Sequence, residues 1–582
     1  MSVRRVISKQ IKQTFLNNAL QTYCKIQTIT NTRHLASTTT SSNKKRNVFR
    51  VLDGTISQTS AVNSNNANFE KLSTLHKQFV KIASAGGGDK AIERHTIKQR
   101  KMLVTERLTH LLDDDADFLE LSMFAGLQME YGDIPRAGII TGIGKVHGKW
   151  CLVVASDATV KGTEPSTYIS SFTNIHYQFK ELRCTRNRLC DRTGEPYIHL
   201  PVYVIESGGA FLPLQSQIFN DGGRTFYNEA VMSSQGIPQI AIVCGNCTAG
   251  GAYVPTMADE AVMIHKKGYI FLGGPPLVQA ATGEIVSAED LGGATLHCSV
   301  SGCTDYFAED EAEALELGRD IIATLNITMN ENTTTTSEDP LYDPGELPGL
   351  VSTDNQMDIY KVISRITDGS RFHEFKTKFG DTLVTGFAHV HGQLVGIVAS
   401  SGELTEPAAD KGAHFVQMCG ERSIPLVFLQ NTAVEDNAVT NGLKNGDKLR
   451  AQAKMMSVVS TSPVPKITFI VGNGVGPVSY IMGGKAVSPH FLFCWPNAVI
   501  GLTEPKVVAH DICASKESLS SEDQAKILEK CNKESTAFYG ASRVWNDGIV
   551  LPQDTRQVLR QCLSITRAYR QSQPVQAPVI RM

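Results

Sequence analysis

Short apolar, β-branched segments recur along the chain, and each ends in a cluster of Gly, Ser or Asn. Examples are VYVIES, IAIVCGN and ITFIVGN, which begin at Val202, Ile240 and Ile467. Segments with helical periodicity, such as residues 225–235 and 309–325, follow such runs. This order of strand, turn, helix and strand is typical of a buried, mostly parallel sheet. The pattern predicts an α/β fold whose chemistry lies at the carboxyl ends of the strands.

The sequence also repeats itself, which indicates an internal duplication. Three pairs of segments match in the same order: TGIGKVHGKWCLVVAS at Thr141 with TGFAHVHGQLVGIVAS at Thr385, LPVYVIESGG at Leu200 with IPLVFLQNT at Ile424, and IPQIAIVCGN at Ile237 with VPKITFIVGN at Val464. The offset falls from 244 to 224 residues after the first pair, so the first copy carries an insertion between Ser156 and Pro201. We predict copies at residues 70–330 and 349–565, a polar linker at 331–348 and a tail at 566–582.

Composition and charge exclude several classes of protein. With 582 residues, 41% of them hydrophobic and 20% charged, the chain is long and apolar enough for a large globular core. Lys and Arg number 56 against 58 Asp and Glu, so the basic footprint of a nucleic-acid binder is missing. No apolar run approaches the length that spans a bilayer, so we expect no membrane insertion. The 13 scattered Cys suit a reducing compartment.

The amino terminus is basic and lacks acidic residues. Ten Lys or Arg precede the first acidic residue, Asp53, in a stretch rich in Ser, Thr, Asn and Gln. This composition predicts a mitochondrial transit peptide and disordered tail over residues 1–45, removed between residues 35 and 50, and hence a matrix location. The alternative is a basic tail that binds an acidic partner.

Two Gly-rich turns follow consecutive predicted strands. One contains Gly208 and Gly209, and the other contains Gly250 and Gly251. Paired glycines allow backbone N–H groups to face one point, and a helix that starts there favours negative charge. The turns therefore predict an oxyanion hole of backbone amides. The alternative is a tight turn with close strand–helix packing.

Other motifs carry less weight. Cys244 and Cys247 form a C-x-x-C without a second pair, so we predict no metal site. His147 and His391 occupy matching repeat positions beside Gly, and we interpret them as turn or packing residues. The sequence contains no Walker loop, G-x-S-x-G elbow or H-E-x-x-H motif. Backbone amides are therefore the best candidates for chemistry.

Long segments make a family resemblance recognisable. GRTFYNEAVMSSQGIPQIAIVCGNCTAGGAYVPTMADEAVMI, from Gly223, and YIFLGGPPLVQAATGEIVSAEDLGGATLH, from Tyr269, resemble the biotin-dependent acyl-CoA carboxyltransferase family, and within it the methylcrotonoyl-CoA branch. The resemblance extends from about Gly86 to near Leu563. It implies that each copy is a crotonase-like ββα-spiral domain.

The resemblance also implies a reaction and an assembly. The amino-terminal copy would bind acyl-CoA, and the carboxyl-terminal copy would receive carboxybiotin from a biotin-bearing α subunit. CO2 would move to the γ carbon of 3-methylcrotonyl-CoA in leucine breakdown, and biotin would take the proton. The β subunits would form a hexamer within an α6β6 complex, with active sites between the amino-terminal domain of one and the carboxyl-terminal domain of another.

Site residues follow from the matched positions. The resemblance assigns the thioester oxyanion to Gly250 and Gly251, the adjoining acyl-CoA contacts to Lys161, Gly208, Gly209, Ala249 and Ala252, and the biotin carbonyl to Gly476 and Pro477. It implies biotin on the partner subunit and no metal.

The sequence departs from the family mainly on the biotin side. Pro477 stands where the family has Ala, and proline has no N–H to donate. Residues 431–438, 503–506 and 162–167 also differ from the family pattern. Two interpretations remain open: a working carboxyltransferase with unusual loops, or a weak or inactive paralogue that still folds and assembles. A third, an enoyl-CoA hydratase, would need paired Glu side chains but only one domain, so the duplication argues against it.

Overall fold

The apolar segments that mark strands in the sequence are strands in the structure, which is a computed structural model. It describes residues 49–57, 59–114, 117–130, 132–160, 200–208, 224–234, 237–325, 337–352, 357–432, 442–515 and 519–567. The described residues belong to one body that begins at Phe49. The predicted transit peptide, most of the insertion, Lys161, Gly209, residues 331–336 of the linker and most of the tail lie outside the described residues.

The strands fall into two sets that follow the duplicated segments. In chain order they are β1 (Arg50–Val51), β2 (Leu119–Leu121), β3 (Ile139–Val146), β4 (Lys149–Ser156), β5 (Leu200–Ser207), β6 (Ile240–Thr248), β7 (Glu260–Ile264), β8 (Tyr269–Phe271), β9 (Tyr306–Ala308), β10 (Arg371–Glu374), β11 (Leu383–Val390), β12 (Gln393–Ser400), β13 (Leu426–Gln430), β14 (Lys466–Ile470), β15 (Asn473–Val475), β16 (Phe491–Cys494), β17 (Val499–Gly501) and β18 (Gly548–Ile549).

Two eight-stranded sheets share one topology. In the first, β2, β3 and β4 are antiparallel, and β4, β5, β6, β7 and β9 continue in parallel, while β8, the eighth strand, pairs in parallel with the end of β6. In the second, β10, β11 and β12 are antiparallel, and β12, β13, β14, β16 and β18 continue in parallel, with β1 at the edge beside β10. The duplication predicted from the sequence is thus a duplication of a mixed sheet.

Helices connect and cover the strands. They are α1 (Ser60–Ser84), α2 (Asp89–Glu93), α3 (Val104–Leu111), α4 (Arg224–Ser234), α5 (Tyr253–Met257), α6 (Pro275–Thr282), α7 (Ala288–Gly292), α8 (Ala294–Leu296), α9 (Glu311–Thr324), α10 (Ile359–Ile366), α11 (Glu406–Glu421), α12 (Gly442–Thr461), α13 (Gly476–Ile481), α14 (Pro505–Ala514), α15 (Ser521–Glu534), α16 (Ala537–Ser542) and α17 (Thr555–Arg567). The helices predicted at 225–235 and 309–325 are confirmed as α4 and α9. None of the described helices is long and apolar enough to cross a bilayer.

The largest apolar core contains residues from both repeats. Trp150 and Met232 of the first repeat share one buried cluster with Ile397, Phe469 and Trp495 of the second. Residues 344–350, in the second half of the predicted linker, form a 3-10 turn that buries Leu347 in the same cluster. This part of the linker therefore belongs to the folded body, because its apolar side chain enters the core between its polar neighbours.

A carboxylate closes the hairpin turn of each repeat. His147 and His391 lie in the β3–β4 and β11–β12 turns with φ of 48° and 47°, so the interpretation of both as turn residues is confirmed. Asp113 accepts the N–H groups of His147 and Gly148, both at 2.9 Å. Asp368 accepts those of His391 and Gly392 at 2.8 and 2.6 Å.

An arginine completes each of these closures. Arg319 Nη2 lies 3.1 Å from Asp113 Oδ1, and Arg556 Nη1 lies 2.8 Å from Asp368 Oδ1. The same carboxylate therefore joins a hairpin turn to a later helix in both repeats. Nothing in the local sequence pattern had pointed to these two aspartates.

Candidate active site

The first Gly-rich turn connects the end of β6 to a short helix. Ala249 follows β6 in the left-handed region, with φ of 53°, and residues 249–252 form a 3-10 turn that leads into α5. The first N–H groups of a helical segment have no partner within the helix. The amides of Gly250 and Gly251 lie at this position. The start of a helical segment stabilises a negative charge that develops next to it.

The two glycines of this turn have different surroundings. A Cβ added to Gly250 would meet, among the described residues, only Phe226 Cζ at 3.7 Å within a 4 Å radius. A Cβ added to Gly251 would lie 3.1 Å from Ser207 Oγ and 3.2 Å from Ser207 Cβ. The close-packing interpretation therefore holds for Gly251, whereas Gly250 is less crowded by the described residues. Phe226 packs over this turn, because its ring centroid lies 5.2 Å from that of Tyr253.

The end of β5 supports the same turn. Ser207, the last residue of β5, pairs with Cys247 of β6 after a shift in register, and Gly208 follows it as an exposed residue. Ala252 is buried beside the turn, so its side chain is part of the packing. Of the predicted acyl-CoA residues, the structure thus brings Gly208, Ala249 and Ala252 to one place with the two glycines.

A buried charge network lies behind β5, and sequence reasoning missed it. Arg107, whose side chain is 1% exposed, donates to Glu206 at 3.3 Å and to Glu311 at 2.8 Å. Lys101 reaches the other oxygen of Glu206 at 2.5 Å, and Lys267 lies 3.0 Å from Glu311. Burial opposes ionisation of Glu311, but Arg107 and Lys267 outweigh it and hold its pKa below the usual range.

This network explains one more glycine. A Cβ on Gly245 would lie 2.3 Å from Cδ and Cγ of Glu206, so the carboxylate side chain requires the bare backbone of β6 at this point. Sequence distance hid the network, since its paired acidic and basic members lie 44 to 204 residues apart.

The second repeat contains the counterpart of the acyl turn. After β14 the chain forms β15, which pairs with β17, as the end of β6 pairs with β8. Gly476 then takes the left-handed conformation with φ of 72°, and α13 begins with Pro477 in its first turn. The left-handed residue is therefore a property of the turn in both repeats and does not depend on the proline, because Ala249 shares it.

Side chains from β13 and the residues after it hold this second turn. Asn431 Oδ1 accepts the N–H of Asn473 at 3.0 Å, and Thr432 Oγ1 accepts that of Val475 at 3.0 Å. Gln430 donates to the carbonyl oxygen of Ser479 at 3.0 Å. The start of the divergent segment 431–438 thus contributes to the turn, and its residues 433–438 lie outside the described part of the chain.

The residues at this turn fit a biotin carbonyl only in part. Pro477 is exposed and has no N–H, and Val478 beside it retains a backbone amide while its side chain is buried. The divergent segment 503–506 contains the start of α14, and Glu504 is the residue directly before that helix. The two predicted turns lie in separate small layers, β6–β8 and β15–β17, one in each repeat.

The C-x-x-C pair forms part of the core. Cys244 and Cys247 are fully buried on β6, and both thiols are free. Burial raises the pKa of Cys244 to about 11 and that of Cys247 further, so both stay protonated. Among the described residues, no group of three or more His, Cys, Asp or Glu side chains could hold a metal ion.

Fold and site together define a class of protein. Residues 95–577 match the family described as the carboxyl transferase domain, and the chain belongs to that family. The chain is accordingly a carboxyltransferase, and the prediction of two crotonase-like units is confirmed.

Individual relatives show which members of the family the chain resembles. The methylcrotonoyl-CoA carboxylase beta chain, mitochondrial, of Arabidopsis thaliana is 43% identical over 539 residues, 88% of each chain. The probable methylcrotonoyl-CoA carboxylase beta chain, mitochondrial, of Drosophila melanogaster is 46% identical over 524 residues, 83% of this chain and 87% of that one. Among solved structures, the beta subunit of P. aeruginosa geranyl-CoA carboxylase aligns with a TM-score of 0.76 and 31% identity, covering 92% of this chain and 99% of that one.

Proposed function

We propose that this chain is the carboxyltransferase subunit that moves a carboxyl group from carboxybiotin to 3-methylcrotonyl-CoA, a step of leucine breakdown. The observation that carries the proposal is the acyl turn, where the amides of Gly250 and Gly251 lie at the start of a helical segment and a Cβ on Gly250 would meet only Phe226 among the described residues. The similarity to methylcrotonoyl-CoA carboxylase beta chains supports this substrate.

The chain's own contribution to the reaction is the stabilisation of charge. Removal of a γ proton from the substrate turns the thioester into a dienolate, and negative charge develops on the thioester oxygen. In our proposal the amides of Gly250 and Gly251 donate hydrogen bonds to that oxygen, and Phe226 limits the space beside it. Each such donor typically contributes about 10²–10³ in rate. Carboxybiotin would supply the carboxyl group, and the γ proton would pass to biotin once biotin has released that group.

The proposed assembly rests on the family resemblance. We infer that the acyl turn of one subunit faces the second-repeat turn of another, in a hexameric β core of an α6β6 complex. Biotin is carried there by the α subunit. The name of the aligned P. aeruginosa protein, a carboxylase beta subunit, supports the partnership of α and β chains.

A second candidate function is a weak or inactive paralogue that folds and assembles as a structural subunit. The observation that favours it is Pro477, which removes one donor from the turn assigned to biotin. A hydratase activity has no comparable support, because the family match covers residues 95–577 and both repeats.

One assay separates these candidates. The purified protein is combined with a competent, carboxylated α subunit, and carboxylation of 3-methylcrotonyl-CoA, propionyl-CoA and geranyl-CoA is compared. We expect transfer to 3-methylcrotonyl-CoA at the highest kcat/KM. Assembly without transfer to any of the three would support the paralogue, and hydration of crotonyl-CoA would support the hydratase.

We also propose that residues 1 to about 40 direct import into the mitochondrial matrix. Their basic, acid-free composition and the mitochondrial names of the relatives support this location. A reporter protein fused to these residues alone should reach the matrix. A reporter that stays in the cytosol would contradict the proposed import.

A further inference from the structure

The first described residues add a strand to the second sheet. Arg50 pairs with Phe372 and Val51 with Arg371 in antiparallel register, which places β1 at the edge of the sheet beside β10. The N–H of Leu52 continues this ladder and donates to the carbonyl oxygen of Ser370 at 2.9 Å. The chain just after the basic leader is therefore hydrogen-bonded to residues more than 300 positions away.

Phe49 anchors the beginning of this strand. Its ring stacks on His373, with ring centroids 5.6 Å apart, and on His389, at 5.2 Å. It is partly buried against the core cluster of the second repeat. Since β10 and β11 supply these two histidines, Phe49 bridges neighbouring strands and fixes the direction in which the chain enters the sheet.

Gly54 anchors the other end. It is buried, and its carbonyl oxygen accepts a hydrogen bond from Arg365 Nη2 at 2.8 Å, where the Arg365 side chain is fully buried. A Cβ at Gly54 would lie 2.5 Å from both Ser364 Oγ and the Tyr342 ring. A buried guanidinium depends on its acceptors, so residue 54 is held by both hydrogen bonding and close packing.

We propose that residues 49–54, which we name the entry strand, are a fixed part of the second repeat, and that leader removal cuts before Phe49. The proposal narrows the processing range predicted from the sequence, residues 35–50, and its processing half rests on the proposed mitochondrial import. Hydrolysis adds one water across the peptide bond, leaving a carboxylate on the leader and an amino group on the mature chain. A cut beyond Phe49 would remove the ring anchor, and a cut beyond Val51 would leave the edge of β10 unpaired.

The position of the cut can be determined from the first residue of the mature chain. The full chain is produced in cells with mitochondria, the mature protein is purified, and its amino-terminal residue is identified by mass spectrometry after terminal labelling. We expect a mature chain whose first residue is Phe49 or an earlier one. A mature, assembled chain that begins after Phe49 would overturn the proposal.

A second experiment tests the strand without depending on import. In the full chain, Gly54→Val should speed limited proteolysis within residues 49–57 about tenfold or more, since the added side chain cannot fit beside Ser364 and Tyr342. The matched control is Ser57→Val, at an exposed position of the same segment, which should leave the cleavage rate unchanged. Equal rates for the two variants would overturn the proposal. A chain that keeps its leader would contradict the import proposal instead, and the Gly54 comparison would still decide whether the strand is fixed.

Discussion

Pro477 occupies the place in the second repeat that Gly250 occupies in the first. Each residue follows a left-handed residue, Gly476 or Ala249, and each of these follows a strand of a small parallel layer. The backbone of the turn is therefore conserved between the repeats, while the N–H that Gly250 offers has no counterpart at position 477. The acyl side of the proposed reaction keeps its donors, and the biotin side has lost one.

The first prediction concerns the acyl turn. Gly250→Val should lower the exchange of γ hydrogens of 3-methylcrotonyl-CoA with solvent by about 10²–10³, because the added side chain, beside Phe226, would crowd a thioester bound at these amides. Exchange is measured by NMR in deuterated buffer with the purified protein and the biotin-bearing α subunit, because biotin is the proposed proton acceptor. Gly250 is a cleaner position than Gly251, where any Cβ would press on Ser207 and disturb packing.

A matched control for this variant exists in a distant helix. Gly420, near the end of α11, has a Cβ position that meets Pro463 Cδ at 3.4 Å, an ordinary contact. Gly420→Ala should leave hydrogen exchange on the substrate unchanged. If Gly250→Val also left it unchanged while the protein stayed folded, the assignment of the oxyanion hole to this turn would be wrong.

The second prediction compares the two hairpin closures. The side chains of Asp368 and its partner Arg556 are both 7% exposed, whereas that of Asp113 is 26% exposed. Asp368→Ala should therefore lower the free energy of unfolding by about 3–5 kcal/mol, because it leaves a buried guanidinium without its carboxylate. Asp113→Ala should cost only about 1–2 kcal/mol. Urea unfolding of the two variants measures the difference, and equal losses would show that burial of the Asp368 pair does not control its contribution.

The third prediction concerns pH and Glu229 on α4. This carboxyl group is fully buried, neither of its oxygens has a hydrogen-bond partner among the described residues, and burial raises its pKa to about 8. The neutral form is favoured in the folded chain, so stability should fall as the pH rises from about 4.5 to about 8 and then level off.

Replacing the acid tests this dependence. Glu229→Gln should stabilise the protein by up to about 3 kcal/mol at pH 7 and flatten the pH dependence between 5 and 8. Glu316→Gln, at a side chain that is 68% exposed, is the control and should change neither quantity. A pH profile of denaturant midpoints that is identical for Glu229→Gln and the unsubstituted protein would rule out Glu229 as its source.

Sequence reasoning reached the elements whose signals are local. The strands that begin near Val202, Ile240 and Ile467 and the turn at Gly250 were predicted from β-branched runs and glycines, which mark these positions directly, whereas the turn at Gly476 was assigned only by the family resemblance. The helices α4 and α9 were found by their periodicity to within two residues.

The features that could not be predicted from the sequence depend on contacts between residues far apart in the chain. The closure of the hairpins by Asp113 and Asp368, the Arg107 network and the pairing of β1 with β10 join segments far apart in sequence. Isolated charged residues of this kind resemble ordinary surface residues in a single sequence, so no periodicity identifies their partners. The unlike roles of Gly250 and Gly251 were equally inaccessible, since they depend on where Ser207 and Phe226 pack.

The most direct test of the account is the rate of carboxyl transfer before and after Pro477→Ala. With the α subunit present, we predict that this change raises transfer from carboxybiotin to 3-methylcrotonyl-CoA by about one to three powers of ten, with acyl-CoA affinity unchanged. The control is Pro407→Ala, at another exposed proline in the first turn of a helix, α11, which should have no effect. If the unsubstituted protein already transfers at the full rate of its family and Pro477→Ala leaves that rate unchanged, the assignment of a missing biotin donor to position 477 is contradicted.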